Sequence, residues 1–214
     1  MIAEIVGVAG TGKTTITQAI GHQRRDIQAN YVLKWRYVLP AYYARVVLAV
    51  PKYLFYYRGK EQVLWPVIRW MTYLDILHQA LARQNGDRRI LLDQGPVYWL
   101  TYLQAFGSIG INDGWFTQWW TRSLESWSTV LDVIYYLDCD DEILLERIQK
   151  RTKKHRLQEL SDPEARKFLA SYREGYQEVI SRLNAKDGPR VRHFSTDRES
   201  PDQITNTIIH DLLA

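Results

Sequence analysis

The chain of 214 residues has a single cysteine, Cys139. That excludes an internal disulfide framework and suits a reducing compartment. Charge of one sign is also scarce: 28 Lys and Arg against 24 Asp and Glu leave a net +4. So mild an excess fits phosphorylated ligands but is too small to argue nucleic-acid binding. The start offers no signal peptide, because Glu4 interrupts the opening apolar run and a glycine-rich motif follows at once. The longest uncharged stretch, Gln94 to Asn112, is broken by Gly95, Pro96, Gly107 and Gly110 and contains Gln104. It reads as turn, short helix and loop, not as a membrane span. The expectation is a cytoplasmic protein, and 46% hydrophobic content suits one globular domain over 1–214.

Four short apolar runs read as strands. Ile2-Ala3-Glu4-Ile5-Val6 opens the chain, Ile90-Leu91-Leu92 ends at Asp93, Val130 to Leu137 ends at Asp138, and Val191 to Ser195 follows the turn Asp187-Gly188-Pro189. Helical spacing fills the intervals. Lys13 to Arg24 carries Ile16, Ala19 and Ile20, and Tyr73 to Gln84 carries Leu74, Leu77 and Leu81 before a stop at Gly86. Asp140 starts a helix toward Arg151, Asp162-Pro163 a long one through Tyr172 and Tyr176, and Ser200-Pro201 the last. The stripe Trp115, Trp119, Trp120 and Trp127 reads as buried packing on one helix face. Strands alternating with helices imply α/β architecture: a parallel sheet of about five strands with helices on both faces. The segment 31–75 fits this pattern least. It holds twelve aromatic residues and seven lysines or arginines against two acids. It reads as helices around Pro40, Pro51 and Pro66, with the remaining strand sought near Tyr31 to Leu39.

Gly7-Val8-Ala9-Gly10-Thr11-Gly12-Lys13-Thr14 matches G-x-x-x-x-G-K-[ST] at every fixed position, between a strand and a helix. In such a loop Gly7, Gly10 and Gly12 let the backbone amides, including that of Thr11, converge on phosphates. The helix start adds unpaired amides and partial positive charge. Lys13 is placed to reach the β- and γ-phosphates, and the Thr14 hydroxyl to take Mg²⁺. Thr15 either supports the same site or is an ordinary helix residue. The protein is therefore expected to bind a nucleoside triphosphate.

Three further features sort among P-loop proteins. Asp93 ends a buried strand at the edge where an open parallel sheet holds its ligand; there it can accept a proton from an attacking hydroxyl or hold a metal's water shell. The bland alternative is a strand-end aspartate capping the turn before Pro96. Second comes the basic run Arg147, Lys150, Arg151, Lys153, Lys154, His155 and Arg156. Arg147 and Arg151 share a helix face and suit a lid over 147–161, while the remainder suits a solvated face equally well. Third, a GTPase would need Asp-x-x-Gly here, but Pro96 stands at the glycine position, and no Asn-Lys-x-Asp occurs.

Together these residues resemble the P-loop kinase family of thymidylate kinases and deoxynucleoside kinases. The resemblance implies a three-layer P-loop NTPase fold, with ATP and Mg²⁺ as cofactors. It implies Lys13 on the phosphates, Thr14 on Mg²⁺, Asp93 as base or metal-side acid, and Arg147 and Arg151 as lid arginines. The loop Ser195-Thr196-Asp197-Arg198 would border the adenine, Asp197 included. Two positions depart from the family pattern: Gln94 replaces the arginine that usually follows the strand-end acid, and the Asp-Arg-x-Pro signature is missing.

The acceptor side falls in 31–75, where Trp35, Arg36, Arg45 and Arg69 are candidates to stack on and neutralise a small-molecule acceptor. A nucleoside or nucleotide is the first expectation, and a sugar or lipid-linked saccharide the second. Most of these aromatics also suit core or homodimer packing, and Val38 to Tyr57 suits peripheral contact with a membrane surface. A nucleotide switch that binds nucleic acid is the rival from another class, and a sulfotransferase a weaker third.

Overall fold

The computed structural model describes residues 1–56, 65–84, 88–106, 114–152, 154–185 and 187–214. Gly86, Gly107, Gly110 and Lys153 lie outside the described residues, as do the side chains of Lys52 and Trp115. Five strands form one all-parallel sheet: β1 (Ile2–Gly7), β2 (Ile27–Ala29), β3 (Arg89–Leu92), β4 (Val133–Asp138) and β5 (Arg190–Ser195), in the order β2-β3-β1-β4-β5. β1 pairs through Ala3 with Leu91 on one side and Val133 on the other, so the loop leaving it sits at the centre of the sheet edge.

Two apolar clusters cover the two faces. On one, α1 (Lys13–Gln23) and α8 (Pro201–Leu213) bring Ile16, Ile20, Ile204, Ile208 and Leu212 against Ile5, Leu91 and Tyr135. On the other, α3 (Trp65–Ala82), α4 (Pro96–Phe106), α5 (Gly114–Ser128) and α7 (Asp162–Asn184) pack Leu77, Leu100, Trp127 and Tyr176 against Val6 and Ile134. The strand alternation decides which side chain joins which cluster. This is the three-layer arrangement the periodicities predict.

The fifth strand is not where the sequence placed it. β2 occupies Ile27–Ala29, ahead of the aromatic segment, and α2 (Trp35–Tyr56) takes up the stretch sought as a strand. Three residues alternating Ile, Gln and Ala carry almost no pattern. α2 runs through Pro40 and Pro51, each of which deletes one helical hydrogen bond, whereas Pro66 sits in the first turn of α3, where no donor is lost.

Side chains set the starts of α7 and α8 but not of α1 or α6. Ser200 caps α8 by accepting the Gln203 amide. Ser161, one residue before the expected Asp162, forms a capping box with Glu164 at the start of α7. α6 (Asp141–Gln149) begins after Asp140, which makes no capping bond. β4 starts at Val133 because Thr129 and Val130 form a turn. Of the tryptophan stripe, Trp120 and Trp127 are buried, while the half-buried Trp119 donates to Asp75 at 3.1 Å.

Candidate active site

The loop between β1 and α1 is shaped by steric necessity. Gly7 has φ +148°, and a Cβ there would lie 2.2 Å from the Leu137 carbonyl oxygen. No other residue fits. The Thr11 hydroxyl donates to the Val8 carbonyl at 2.9 Å, pinning the loop from inside. Gly12 precedes α1 without a side-chain cap, and the first turn carries no acidic residue. Those first-turn amides are therefore available to an anion.

Lys13 bends back over this loop, donating to the carbonyls of Gly7 at 2.7 Å and Val8 at 3.0 Å. Burial pushes its ammonium down to about 8; nearby Asp93 opposes the drop and Arg151 adds to it. Asp93, half-buried at the end of β3, is shifted in the opposite sense: burial raises its carboxyl, and Lys13 partly restrains it. Thr14 and Thr15 are exposed at the mouth of the loop.

A cavity of about 300 Å³ unites these groups. Its lining joins Gly7, Gly10, Gly12, Lys13, Thr14 and Thr15 of the loop to Asp93 and Gln94, which follow β3, and to Arg151, Lys154 and His155. Tyr98, Phe168, Tyr172 and Tyr176, from α4 and α7, close it with aromatic rings. The His155 imidazole is held below its ordinary range by burial first and by Arg151 and Lys13 next. It therefore leaves the cationic work of the cavity to the lysines and arginine.

A second cavity of about 330 Å³ lies on the other side of the loop, lined by Gly10, Thr11, Thr15, Arg147, Arg151, Thr196 and Pro201. Arg147 belongs to this side. Its guanidinium donates to the Thr196 hydroxyl at 3.0 Å and to the Thr196 carbonyl at 2.9 Å, tying α6 to the loop after β5. Arg151 lines both cavities. Asp197 is turned away from both. Its carboxylate accepts the Ser195 hydroxyl at 2.7 Å and faces a third recess with Asp138, Asp141 and Arg173.

The acceptor candidates do not join the cavity lining. Trp35 packs edge-on to Trp70 and tilted to Tyr73, and the Arg69 guanidinium lies 4.7 Å over Trp70. Arg45 is ion-paired with Asp75, and Arg36 sits over the exposed Tyr37 ring. Trp99 stacks on Trp70 from the α4 side. These residues make contacts outside the cavity, with one another or with Asp75, Tyr73, Trp99 and Tyr37.

Two groups that sequence reasoning missed support the site from behind. Glu4 is fully buried in β1 and accepts the amides of Gly95, Val97 and Tyr98 at 2.8–2.9 Å. It thus caps α4 and fixes the turn that carries Asp93 and Gln94. Its signal was present as a lone acid inside an apolar strand. Arg173, on α7, donates to Asp138 at 3.0 Å, to Asp141 at 2.6 Å and to the Cys139 carbonyl at 2.8 Å. It locks the end of β4 to the start of α6, and so fixes the root from which Arg147 and Arg151 project. Nothing in the helical spacing of Arg173 marks it.

Among the described residues no group of three or more His, Cys, Asp or Glu side chains can hold a metal. Magnesium needs none, since it keeps several waters and takes one or two protein oxygens beside substrate phosphates.

No family model matches the chain, and no curated protein matches its sequence. Solved structures do match. Deoxyadenosine kinase from M. mycoides with bound dATP superposes with a TM-score of 0.58 at 17% identity over 100% of both chains. Thymidylate kinase from Candida albicans gives 0.56 at 16% identity over 99% of this chain and 90% of its own. The YorR protein from Bacillus subtilis, in complex with phosphorylated GDP, gives 0.57 at 13% identity over 98% and 94%. The chain thus has the three-layer P-loop fold of these proteins and resembles the thymidylate and deoxynucleoside kinases in architecture.

Proposed function

We propose that this protein is an ATP- and Mg²⁺-dependent kinase that transfers the γ-phosphoryl group to a small acceptor, with a nucleoside or nucleotide as the leading class. The single observation that carries this reading is the cavity in which the P-loop, Lys13, Asp93 and Arg151 meet. Phosphoryl transfer asks little covalent chemistry of a protein; it asks for positioning and for positive charge where negative charge spreads.

Each group has a place in that scheme. Lys13 and the free amides of α1 take the triphosphate. The Thr14 hydroxyl, with Asp93 on the metal's water shell, holds Mg²⁺, whose part when bound is to neutralise the β- and γ-oxygens. Where the acceptor is a hydroxyl, Asp93, its carboxyl raised by burial, takes its proton as the bond to phosphorus forms; a nucleotide's phosphate oxygen attacks without one, and Asp93 then serves the metal side. Arg151, from the 147–161 segment acting as a lid, covers the transferring group and excludes water. Arg147 and the Thr196 loop border the donor base, without Asp197.

The acceptor, on this reading, lies against Tyr98, Phe168 and Tyr172 rather than against Trp35, Arg36, Arg45 or Arg69. Aromatic walls and the uncharged Gln94 suit a ring-shaped acceptor. The same walls favour a second reading, a sugar or lipid-linked saccharide, because sugar rings also stack on aromatic faces.

The test is ATP turnover measured against nucleosides, nucleotides, sugars and sugar phosphates. Acceptor-dependent turnover is expected for one class only, and the Asp93→Asn variant should keep nucleotide binding while losing turnover by about 10²- to 10⁴-fold. Full activity in that variant would remove the base from the scheme. Slow hydrolysis that no acceptor stimulates would favour a nucleotide switch instead.

A further inference from the structure

Between Asp26 and Glu61 the sequence contains no acidic residue. α2 lies in that stretch, and it is apolar on its outer side as well as on its inner one. The protein-facing side carries the buried Val38, and its one charge, Arg45, is ion-paired to Asp75. Around the opposite half of the helix, at 3.6 residues per turn, come Arg36, Tyr37, Leu39, Pro40, Tyr43, Ala44, Val47 and Leu48, all exposed. Tyr43, Val47 and Leu48 are 61%, 68% and 75% accessible. A helix that only had to be soluble would carry charge there. This one presents an apolar, tyrosine-bearing half whose sole charge is a cation, with Lys34 and Arg69 exposed nearby.

We propose that this face of α2 docks on an anionic lipid surface. The charge pattern selects the occupant. A second copy docking α2 on α2 would bring together two faces that carry Lys34 and Arg36 and no acid, so no ion pair would form between them. A lipid surface matches every component: Leu39, Val47 and Leu48 enter the acyl boundary, Tyr37 and Tyr43 sit at headgroup depth, and Lys34 and Arg36 meet anionic headgroups. No described helix is long and apolar enough to cross a membrane, so the contact lies along the surface. The effect is to hold the kinase cavity beside a bilayer.

Docking needs no turnover, so its test stands apart from the kinase reading. The full chain is floated with vesicles of phosphatidylcholine alone or mixed with phosphatidylglycerol, and its mass is followed by sedimentation velocity without lipid. Binding is expected to the mixed vesicles only and to weaken with salt. The double variant Leu39→Glu/Val47→Glu should lose at least about tenfold in partition, and Arg36→Gln about fivefold. Both variants alter exposed side chains, and unchanged melting temperatures would show that folding is intact. No binding of the wild-type chain to mixed vesicles overturns the proposal. So does a lipid-free dimer that the same substitutions dissociate.

Discussion

The carboxylate of Glu4 accepts the backbone N–H of Val97 at 2.8 Å, although 93 residues separate the two. Through this bond and those to Gly95 and Tyr98, the first strand of the sheet holds the turn that carries Asp93. The P-loop and the strand-end acid are thereby fixed to a common support.

That support titrates. The Glu4 carboxyl is pushed up to about 8 from 4.5, chiefly by burial, while its three amide partners pull the other way. A folded-state value raised above the unfolded one gives stability that is complete below about pH 4.5 and is lost as pH rises through about 8. The melting temperature should fall across that window, and Glu4→Gln should flatten this part of the profile. Glu4→Ala leaves buried amides without an acceptor and should cost about 3 kcal/mol in urea denaturation.

Lys13 should couple nucleotide binding to protons. Its ammonium lies near 8 because it is buried, and a triphosphate beside it restores the charge. Binding should therefore take up a proton as pH passes about 8, and affinity should fall above that value. Calorimetry in buffers of different ionisation enthalpy measures the uptake. Lys13→Ala should abolish the uptake and lower turnover by about 10³-fold.

Arg147 and Arg151 should separate kinetically. Arg147→Ala breaks both bonds to Thr196 and should raise the donor KM about tenfold with kcat nearly unchanged. Arg151→Ala removes the cation shared by both cavities and should lower kcat by about 10²-fold. Steady-state kinetics with ATP as the varied substrate distinguishes the two.

The contact between α4 and α7 tolerates no added atom. A Cβ on Gly175 would lie 2.8 Å from the Cγ2 of Thr101, itself fully buried. Gly175→Ala should cost about 2 kcal/mol. Adding Thr101→Ser removes that methyl and should recover about half the loss, the coupling being read from a double-mutant cycle.

How much of this was legible beforehand depends on the range of the interaction. The P-loop is contiguous, so spacing alone reveals it, and Asp93 is marked by the apolar run it ends. Four strands announce themselves by short apolar runs next to turn or acid signals. β2 does not, because three residues are too few to show a period. Glu4 is visible as an anomaly, but its partners lie beyond residue 94 and no local pattern names them. The aromatic wall of Tyr98, Phe168 and Tyr172 is assembled from two distant helices, each reading simply as a packed stripe. Trp35 and Arg69 show the converse: both are rich in recognition chemistry, but in the fold they lie against each other and outside the cavity lining, which no local pattern shows.

The two carbonyls that Lys13 already holds give the loop a threshold. An anion that draws the ammonium away must replace both bonds before it gains anything. A single phosphate or sulfate offers little beyond that exchange. A polyphosphate chain should offset it along the α1 amides as well, so the loop is expected to favour long anions over single ones.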